Sequence, residues 1–298
     1  MKRVLLIVIA VLLVGCSSTD ADPPSGAPAK ASARSHVFVI VMENKEYDAV
    51  IGSADAPYFN SLAQRYTSLT HMYGVSHPSL PNYFALTAGT TFGVTTDCTD
   101  CQQSGRTIAN QLAAKHVSWK AYMGGMPSAC FKEAGSGEYA KKHDPFMYYP
   151  FVADSRKRCA RVVPEKQLSR DLAAGRLPTY SFLAPGLCDD THDCPVGDGD
   201  KYLKRIVPPI LKALGPKGFL VLTYDEGTTA DHVGGRIPTV IAGPSVRRGA
   251  TPGAVYNHYS TLRTIEDALR LSHLRHAGDK GVRSLGAAFK GGAVPKLR

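Results

Sequence analysis

The sequence predicts an α/β fold with a central, largely parallel β-sheet sandwiched between helices, and three observations carry that expectation. His36–Met42 and Gly218–Tyr224 are unbroken apolar runs rich in β-branched residues, as strands buried on both faces require, and Thr179–Ala184 is a shorter third run. Segments with helical apolar spacing, Lys201–Leu214 and Ser260–Leu271 among them, lie between or after these runs. Each of the three strands also delivers hard oxygen donors beyond its carboxyl end: Glu43 and Asn44, then, in the loop that Thr179–Ala184 opens on, Asp189 and Asp190, then Asp225 and Glu226. Ligands of open α/β sheets bind beyond the carboxyl ends of the strands, so these side chains are expected to converge on one rim.

The amino end has a different character. Lys2 and Arg3 precede the apolar run Val4–Val14, too short to span a bilayer, and Gly15 precedes Cys16. Residues 1–15 therefore read as a secretory signal peptide. Leu12–Ser17 resembles a bacterial lipobox, which implies cleavage before Cys16 and a lipid on its sulfur; a plain signal peptide cut further on is the alternative. Residues 16–34, rich in Ala, Pro, Ser and Asp, cannot bury a core and read as a flexible linker. The remainder, 35–298, is long enough for one large domain. The expected product is an exported cell-envelope lipoprotein, monomeric and held to a membrane through its lipid.

With Cys16 lipidated, six of the seven cysteines remain, an even number that suits disulfides in an exported chain. Cys98 with Cys101 and Cys188 with Cys194 are local pairs, which leaves Cys130 for Cys159. A zinc site is the rival for Cys98 and Cys101, but no second pair stands at finger spacing. The formal charge is +10, or +8 without Lys2 and Arg3. That charge is scattered apart from Arg156–Arg158, and no nucleic-acid motif is present.

Taken in order, the first strand opens onto Glu43. Pro57–Tyr66 reads as a helix and Ser68–Val75 as a strand leading to Ser76–Gly89, where Ser79, fenced by Pro78 and Pro81, is expected to cap a helix. Ser104 is expected to cap a helix reaching His116, Val117–Met123 is strand-like, and Gly124–Gly137 is a loop. Lys141–Phe146 is a polar turn carrying His143, and Pro164–Ala174 reads as a helix. The loop Pro185–Cys194 holds Asp189, Asp190, His192 and Asp193 inside an expected disulfide. Lys201–Leu214 is a helix expected to break or kink at Pro208–Pro209. Ile237–Ala242 is a strand, and Ser260 caps a last helix with Leu262, Ile265, Leu269 and Leu271 on its buried side.

A serine at a helix N-terminus, beside three acid-tipped strands and several histidines, suggests a metal-assisted hydrolase. A cation on oxygen ligands would lower the pKa of the Ser79 hydroxyl and clamp a phosphoryl oxygen, and a histidine would protonate the leaving alkoxide. A purely structural calcium site is the alternative.

The motifs Met42-Glu43-Asn44-x-x-Tyr47-Asp48, His77-Pro78-Ser79-Leu80-Pro81-Asn82-Tyr83, His143-x-Pro145-Phe146, Cys188-Asp189-Asp190-x-His192-Asp193, Tyr224-Asp225-Glu226 and His258-Tyr259-Ser260-x-Leu262-Arg263-Thr264-Ile265-Glu266-Asp267 occur in this order. They resemble the bacterial phosphoesterase family of acid phosphatases and phospholipases C within the alkaline phosphatase superfamily. The resemblance implies an alkaline phosphatase-like fold and a metal-dependent hydrolase of phosphate esters. It makes Ser79 the nucleophile that is transiently phosphorylated, and Glu43, Asn44, Ser79, Asp225 and Glu226 the ligands of a divalent metal (Ca, Mg, Mn or Zn). His143 and His192 would stabilise phosphoryl oxygens, with His192 as the acid. Asn82 and His258 would border the substrate, and Asp189 would be a further ligand or a partner of His192. Glu226 departs from the pattern, since some relatives carry a second aspartate there, and His232 matches no motif. Two other functions fit the same residues: a phospholipase C or phosphodiesterase acting on phospholipids, and a non-catalytic surface-binding lipoprotein.

Overall fold

The computed structural model describes Met1 and residues 34–297. The readings for residues 2–33, Cys16 included, lie outside the described residues. Residues 34–297 form one compact unit.

Its strands are β1 (Val37–Met42), β2 (Thr67–Ser68), β3 (Met72–Tyr73), β4 (Trp119–Met123), β5 (Gly135–Ser136), β6 (Tyr139–Ala140), β7 (Val162–Pro164), β8 (Tyr180–Ala184), β9 (Phe219–Tyr224), β10 (Thr239–Ala242) and β11 (Tyr256–Asn257). Among the described residues the main sheet runs β2-β10-β9-β1-β8-β4-β7. β9, β1, β8, β4 and β7 are parallel, and β10 and then β2 continue the sheet by antiparallel pairing. The three strands with acidic ends, β9, β1 and β8, are therefore the adjacent centre of the sheet. Every residue of β1 and β9 is buried, which is why both read as continuous apolar runs.

The principal helices are α1 (Tyr47–Val50), α2 (Pro57–Arg65), α3 (Ser79–Ala88), α4 (Ile108–Ala114), α5 (Pro150–Ala153), α6 (Arg156–Cys159), α7 (Lys166–Ala173), α8 (Val196–Ala213) and α9 (His258–Leu269). Phe59 of α2 meets Tyr224, which is in register with Met42, whereas Tyr83 of α3 meets Phe182, in register with Val39. Met42 and Val39 differ in parity along one strand, so α2 and α3 cover opposite faces of the sheet. α8 packs on α2 and α9 on α3, which completes the two helical layers.

Several element boundaries differ from expectation, each for a local reason. Ser68–Val75 is not one strand. β2 pairs with β10, and the chain then moves to a second sheet in which β3 pairs with β11. Ser79 does not cap α3 but is its first residue, after Pro78 and a cis His77–Pro78 peptide. The cap of α4 is Thr107, with Asn110 closing a reciprocal pair, rather than Ser104. α8 begins at Val196 and passes through Pro208 and Pro209 without a break. Both prolines are exposed, as are Lys204 and Arg205, whose carbonyls lose their intrahelical partners, so water can serve those groups. Asn257 caps α9 by accepting from the Tyr259 and Ser260 N–H groups, which makes Ser260 the third helical residue instead of the cap. Leu271 is buried beyond the end of that helix.

The three expected disulfides are present: Cys98–Cys101, Cys130–Cys159 and Cys188–Cys194, with Cα separations of 5.7, 5.1 and 4.7 Å. The bridge between Cys98 and Cys101 rules out the zinc reading of that pair. No helix among the described residues is long and apolar enough to cross a membrane.

Candidate active site

The register of the central strands builds the site. Met42 lies level with Tyr224, so the next residues, Glu43 and Asp225, leave the sheet side by side, and the Asp225 N–H still donates to the Met42 carbonyl at 2.9 Å. On the other flank the Glu43 N–H donates to the Asp190 carbonyl at 2.9 Å, which ties the loop after β8 to the end of β1. Asn44 adopts a left-handed backbone (φ 54°), a conformation asparagine tolerates better than most residues, and its N–H donates to Asp225 Oδ1 at 3.1 Å.

Ser79 is buried at the start of α3 with its Oγ aimed at this edge, 3.1 Å from Glu43 Oε2 and 3.4 Å from Glu226 Oε1. One hydroxyl proton thus faces two carboxylates. Tyr83, one turn along α3, donates its hydroxyl to the other oxygen of Glu43. The neighbouring loop is held by backbone contact. A side chain at Gly74 would collide with Gly234, and Gly74 N–H donates to the Gly235 carbonyl at 3.0 Å.

Hydrogen bonding inside the cradle is unbalanced. Asn44 Oδ1, Asp190 Oδ2 and Asp225 Oδ2 are buried and accept no hydrogen bond among the described residues. Burial raises the Asp225 carboxyl to about 6 and the Asp190 carboxyl to about 7. Glu43 is pushed well above its usual range by burial and by Asp225 and Asp190, and Glu226 reaches about 7 through burial and then Asp225. His77 bonds to Glu226 Oε2, and its Nε2 donates to the Thr229 carbonyl at 2.8 Å. Burial opposes charge on His77, but the Thr229 carbonyl and Glu226 outweigh it and raise its pKa. Orphaned acceptors and clustered carboxylates with so few donors suit a hard divalent cation. Glu43, Asn44, Asp225 and Glu226 stand together on this edge beside Ser79.

Across from the cradle stands a second wall. His143 Nε2 lies 3.3 Å from Glu43 Oε2 and its Nδ1 lies 3.4 Å from Asp190 Oδ2. Burial, with Lys142 and His192 nearby, drives its pKa well below the usual value, so the ring is neutral. Glu43, His143 and Asp190 offer atoms within 4.8 Å of one another. The ring of His143 stacks on Tyr83, with centroids 5.5 Å apart. His192 Nδ1 donates to Asp193 Oδ1 at 2.6 Å, while its Nε2 faces Lys142 Nζ at 3.1 Å.

Of the anticipated residues, Glu43, Asn44, Ser79, His143, His192, Asp225 and Glu226 converge. Asn82 does not face the opening. Its Oδ1 accepts from Val75 and Ser76 N–H and its amide donates to the Ser76 and Pro78 carbonyls, so it shapes the turn that presents Ser79. His258 lies behind Asp225, bonded through Nε2 to the Asp225 carbonyl, and burial lowers its pKa to about 4. Asp189 lies 3.9 Å from Arg205, and the carboxylate bonded to His192 is that of Asp193. His232 is exposed and packs against Tyr73, with ring centroids 4.0 Å apart.

Sequence reasoning missed Lys142 and Asp97, which join the site through Asp97 Oδ1 accepting the Leu80 N–H at 3.0 Å and Asp97 Oδ2 accepting from Lys142 Nζ at 3.1 Å. Asp97 therefore takes part of the helix terminus expected to face an anion. The signals were Asp97 preceding a disulfide cysteine and Lys142 preceding His143.

The fold is alkaline phosphatase-like, and the family and relatives it matches make the chain a hydrolase of phosphoric ester bonds. The model of the Phosphoesterase family matches residues 53–272, and the chain belongs to that family. It is 32% identical over 279 residues to a phosphatidylinositol-3-phosphatase of Mycobacterium tuberculosis, covering 91% of this chain and 90% of that protein. A probable acid phosphatase of Kluyveromyces lactis is 29% identical over 259 residues, covering 82% of this chain and 61% of the relative. Among solved structures, an alkaline phosphatase-superfamily protein from Vibrio parahaemolyticus superposes with a TM-score of 0.57 at 15% identity, over 79% of this chain and 66% of that one.

Proposed function

We propose that residues 35–298 form a metal-dependent phosphatase that hydrolyses phosphate monoesters through a phosphoserine on Ser79. The observation that carries this reading is the Ser79 hydroxyl lodged between Glu43 and Glu226, where buried acceptors outnumber donors. Glu43, Asn44, Asp225 and Glu226, with Ser79 Oγ, would hold the divalent cation. Bound there, it supplies Lewis-acid charge that lowers the pKa of the serine and neutralises phosphoryl oxygens. Ser79 Oγ attacks phosphorus in line, its proton passing to the adjacent carboxylate, and as the P–O bond breaks the leaving alkoxide takes a proton from solvent rather than from His192, whose ring proton is turned to Asp193. His143 and His192 line the wall facing the phosphoryl group. Water then cleaves the Ser79–phosphorus bond and regenerates the hydroxyl.

The phosphatidylinositol-3-phosphatase relative, matched along nearly its whole length, supports phosphoinositide monoesters as the substrate class. Export with a lipid on Cys16 would bring the domain to such a substrate, and the three disulfides support export.

Ser79→Ala is expected to abolish turnover of 4-nitrophenyl phosphate with an unchanged circular dichroism spectrum. Rapid acid quench of the wild type should yield phosphate on the peptide containing Ser79. Near-wild-type turnover by the variant overturns the assignment. Comparing a monoester, its diester and phosphatidylcholine tests the phospholipase alternative, which requires the latter two to be the better substrates.

A further inference from the structure

Lys142 occupies a position that the reaction outlined above does not use. Its ammonium carries three N–H donors and accepts nothing. One donor meets Asp97 Oδ2 at 3.1 Å and a second meets His192 Nε2 at 3.1 Å, while the side chain keeps 22% of its surface exposed. Two named partners leave a third N–H for a group entering from solvent.

The partners restrict His192 as well. A donor at Nε2 makes that nitrogen an acceptor, so the ring proton resides on Nδ1, where Asp193 accepts it. In this arrangement His192 has no proton on the side facing Lys142. Positive charge on this wall comes instead from the lysine.

The lysine is also tied to the nucleophile's own helix. Asp97 bridges them, one oxygen on Lys142 Nζ and the other on the N–H of Leu80, the residue after Ser79. The preceding residue strengthens the clamp: Lys141 Nζ donates to the Thr99 carbonyl at 2.6 Å, inside the loop closed by Cys98–Cys101. Residues 97–101 thus hold 141–142 at two points. The ring of His192, which Lys142 meets, lies 5.5 Å from that of His143, and His143 reaches Glu43, so the ammonium stands across the site from the carboxylate cradle.

We propose that Lys142 is a catalytic residue that binds a phosphoryl oxygen of the ester through its remaining N–H, with Asp97 and His192 as its positioning residues. No proton or bond is exchanged in this role. The ammonium opposes the negative charge of the phosphoryl oxygens in the bound ester and in the transition state, as a fixed donor does in an oxyanion site. The assignment rests on the phosphatase reading given above.

The test uses the metal-loaded wild type, Ser79→Ala, Lys142→Met and Lys142→Arg. Steady-state turnover of 4-nitrophenyl phosphate is combined with competitive inhibition by inorganic phosphate and thermal unfolding. Lys142→Met should lower kcat/KM by about 10²-fold, the usual cost of one lost oxyanion donor, and weaken inhibition by inorganic phosphate by about tenfold. Lys142→Arg should recover part of both, and neither variant should unfold more than a few degrees below the wild type. Unchanged phosphate inhibition in Lys142→Met overturns the proposal even if turnover falls, because a purely structural lysine would act through stability. If Ser79→Ala remains active, the phosphatase mechanism itself fails; if Ser79→Ala is dead and Lys142→Met is normal, only the lysine assignment fails.

Discussion

Glu43, Asn44, Asp225 and Glu226 stand on the first residues beyond two paired strands, whereas Lys142 and His143 stand on a single 3-10 turn and His192 on a loop, all tied down by disulfides and side-chain contacts. The first group inherits its geometry from the sheet. Its backbones are fixed by ladder hydrogen bonds, and acceptors exceed donors. The second group is held by Cys188–Cys194, by the Asp97 bridge and by the stacking of His143 on Tyr83, and its Lys142 ammonium supplies donors. An acceptor-rich wall suits a cation and a donor-rich wall suits an anion, which is the pairing the proposed metal-dependent phosphatase requires.

The sharpest way to break this division is to remove an acceptor from the cradle. Asp225→Asn should cost about 10³-fold in kcat/KM and lower metal content by elemental analysis; full metal occupancy with normal turnover would show that the cradle is not the cation site. Chelation should likewise abolish turnover and lower the unfolding midpoint, since it leaves buried carboxylates uncompensated, and added metal should restore both. Activity that survives exhaustive chelation would remove the metal from the scheme.

A smaller effect is expected on the opposite wall. Asp97→Asn leaves Lys142 without a charged anchor and should cost about tenfold in kcat/KM, with the metal content unchanged. A loss of metal in this variant would mean that the two walls are not separate devices.

The smallest effect comes from outside both regions. Glu266 of α9 is buried, accepts the Leu274 N–H at 2.9 Å, and is raised to about 8 chiefly by burial, against which the Leu274 and Gln111 hydrogen bonds act. Its folded pKa exceeds the unfolded value, so its contribution to stability is complete below about pH 4.3 and is lost as the pH rises through about 8. Unfolding of the metal-loaded protein should weaken across that window by up to ~1.4 kcal/mol per pH unit. Glu266→Gln should flatten the dependence without altering kcat, and an unchanged pH profile would show that Glu266 does not cause it.

Much of the fold was legible because the central strands are buried on both faces, which leaves a continuous apolar signature in Val37–Met42 and Phe219–Tyr224. Local devices were less legible. The caps of α4 and α9 fell on Thr107 and Asn257, since Ser, Thr and Asn compete closely for cap positions and only backbone geometry decides among them. The exposed prolines of α8 did not end it, because water replaces the bonds they remove on that face.

By itself the sequence determined the α/β class, the acid-tipped strands, the three disulfide pairs and the convergence of Ser79 with Glu43, Asn44, Asp225 and Glu226. Strand register sets Glu43 and Asp225 side by side and follows from the apolar pattern, while the turn held by Asn82 brings Ser79 to them. Only the tertiary structure turned Asn82 and His258 into supports and brought Asp97 and Lys142, 45 residues apart, to the site. Hydrogen-bond partners are chosen across loops whose paths no periodicity encodes, so a lysine in a polar turn looks the same in sequence whether it meets solvent or substrate.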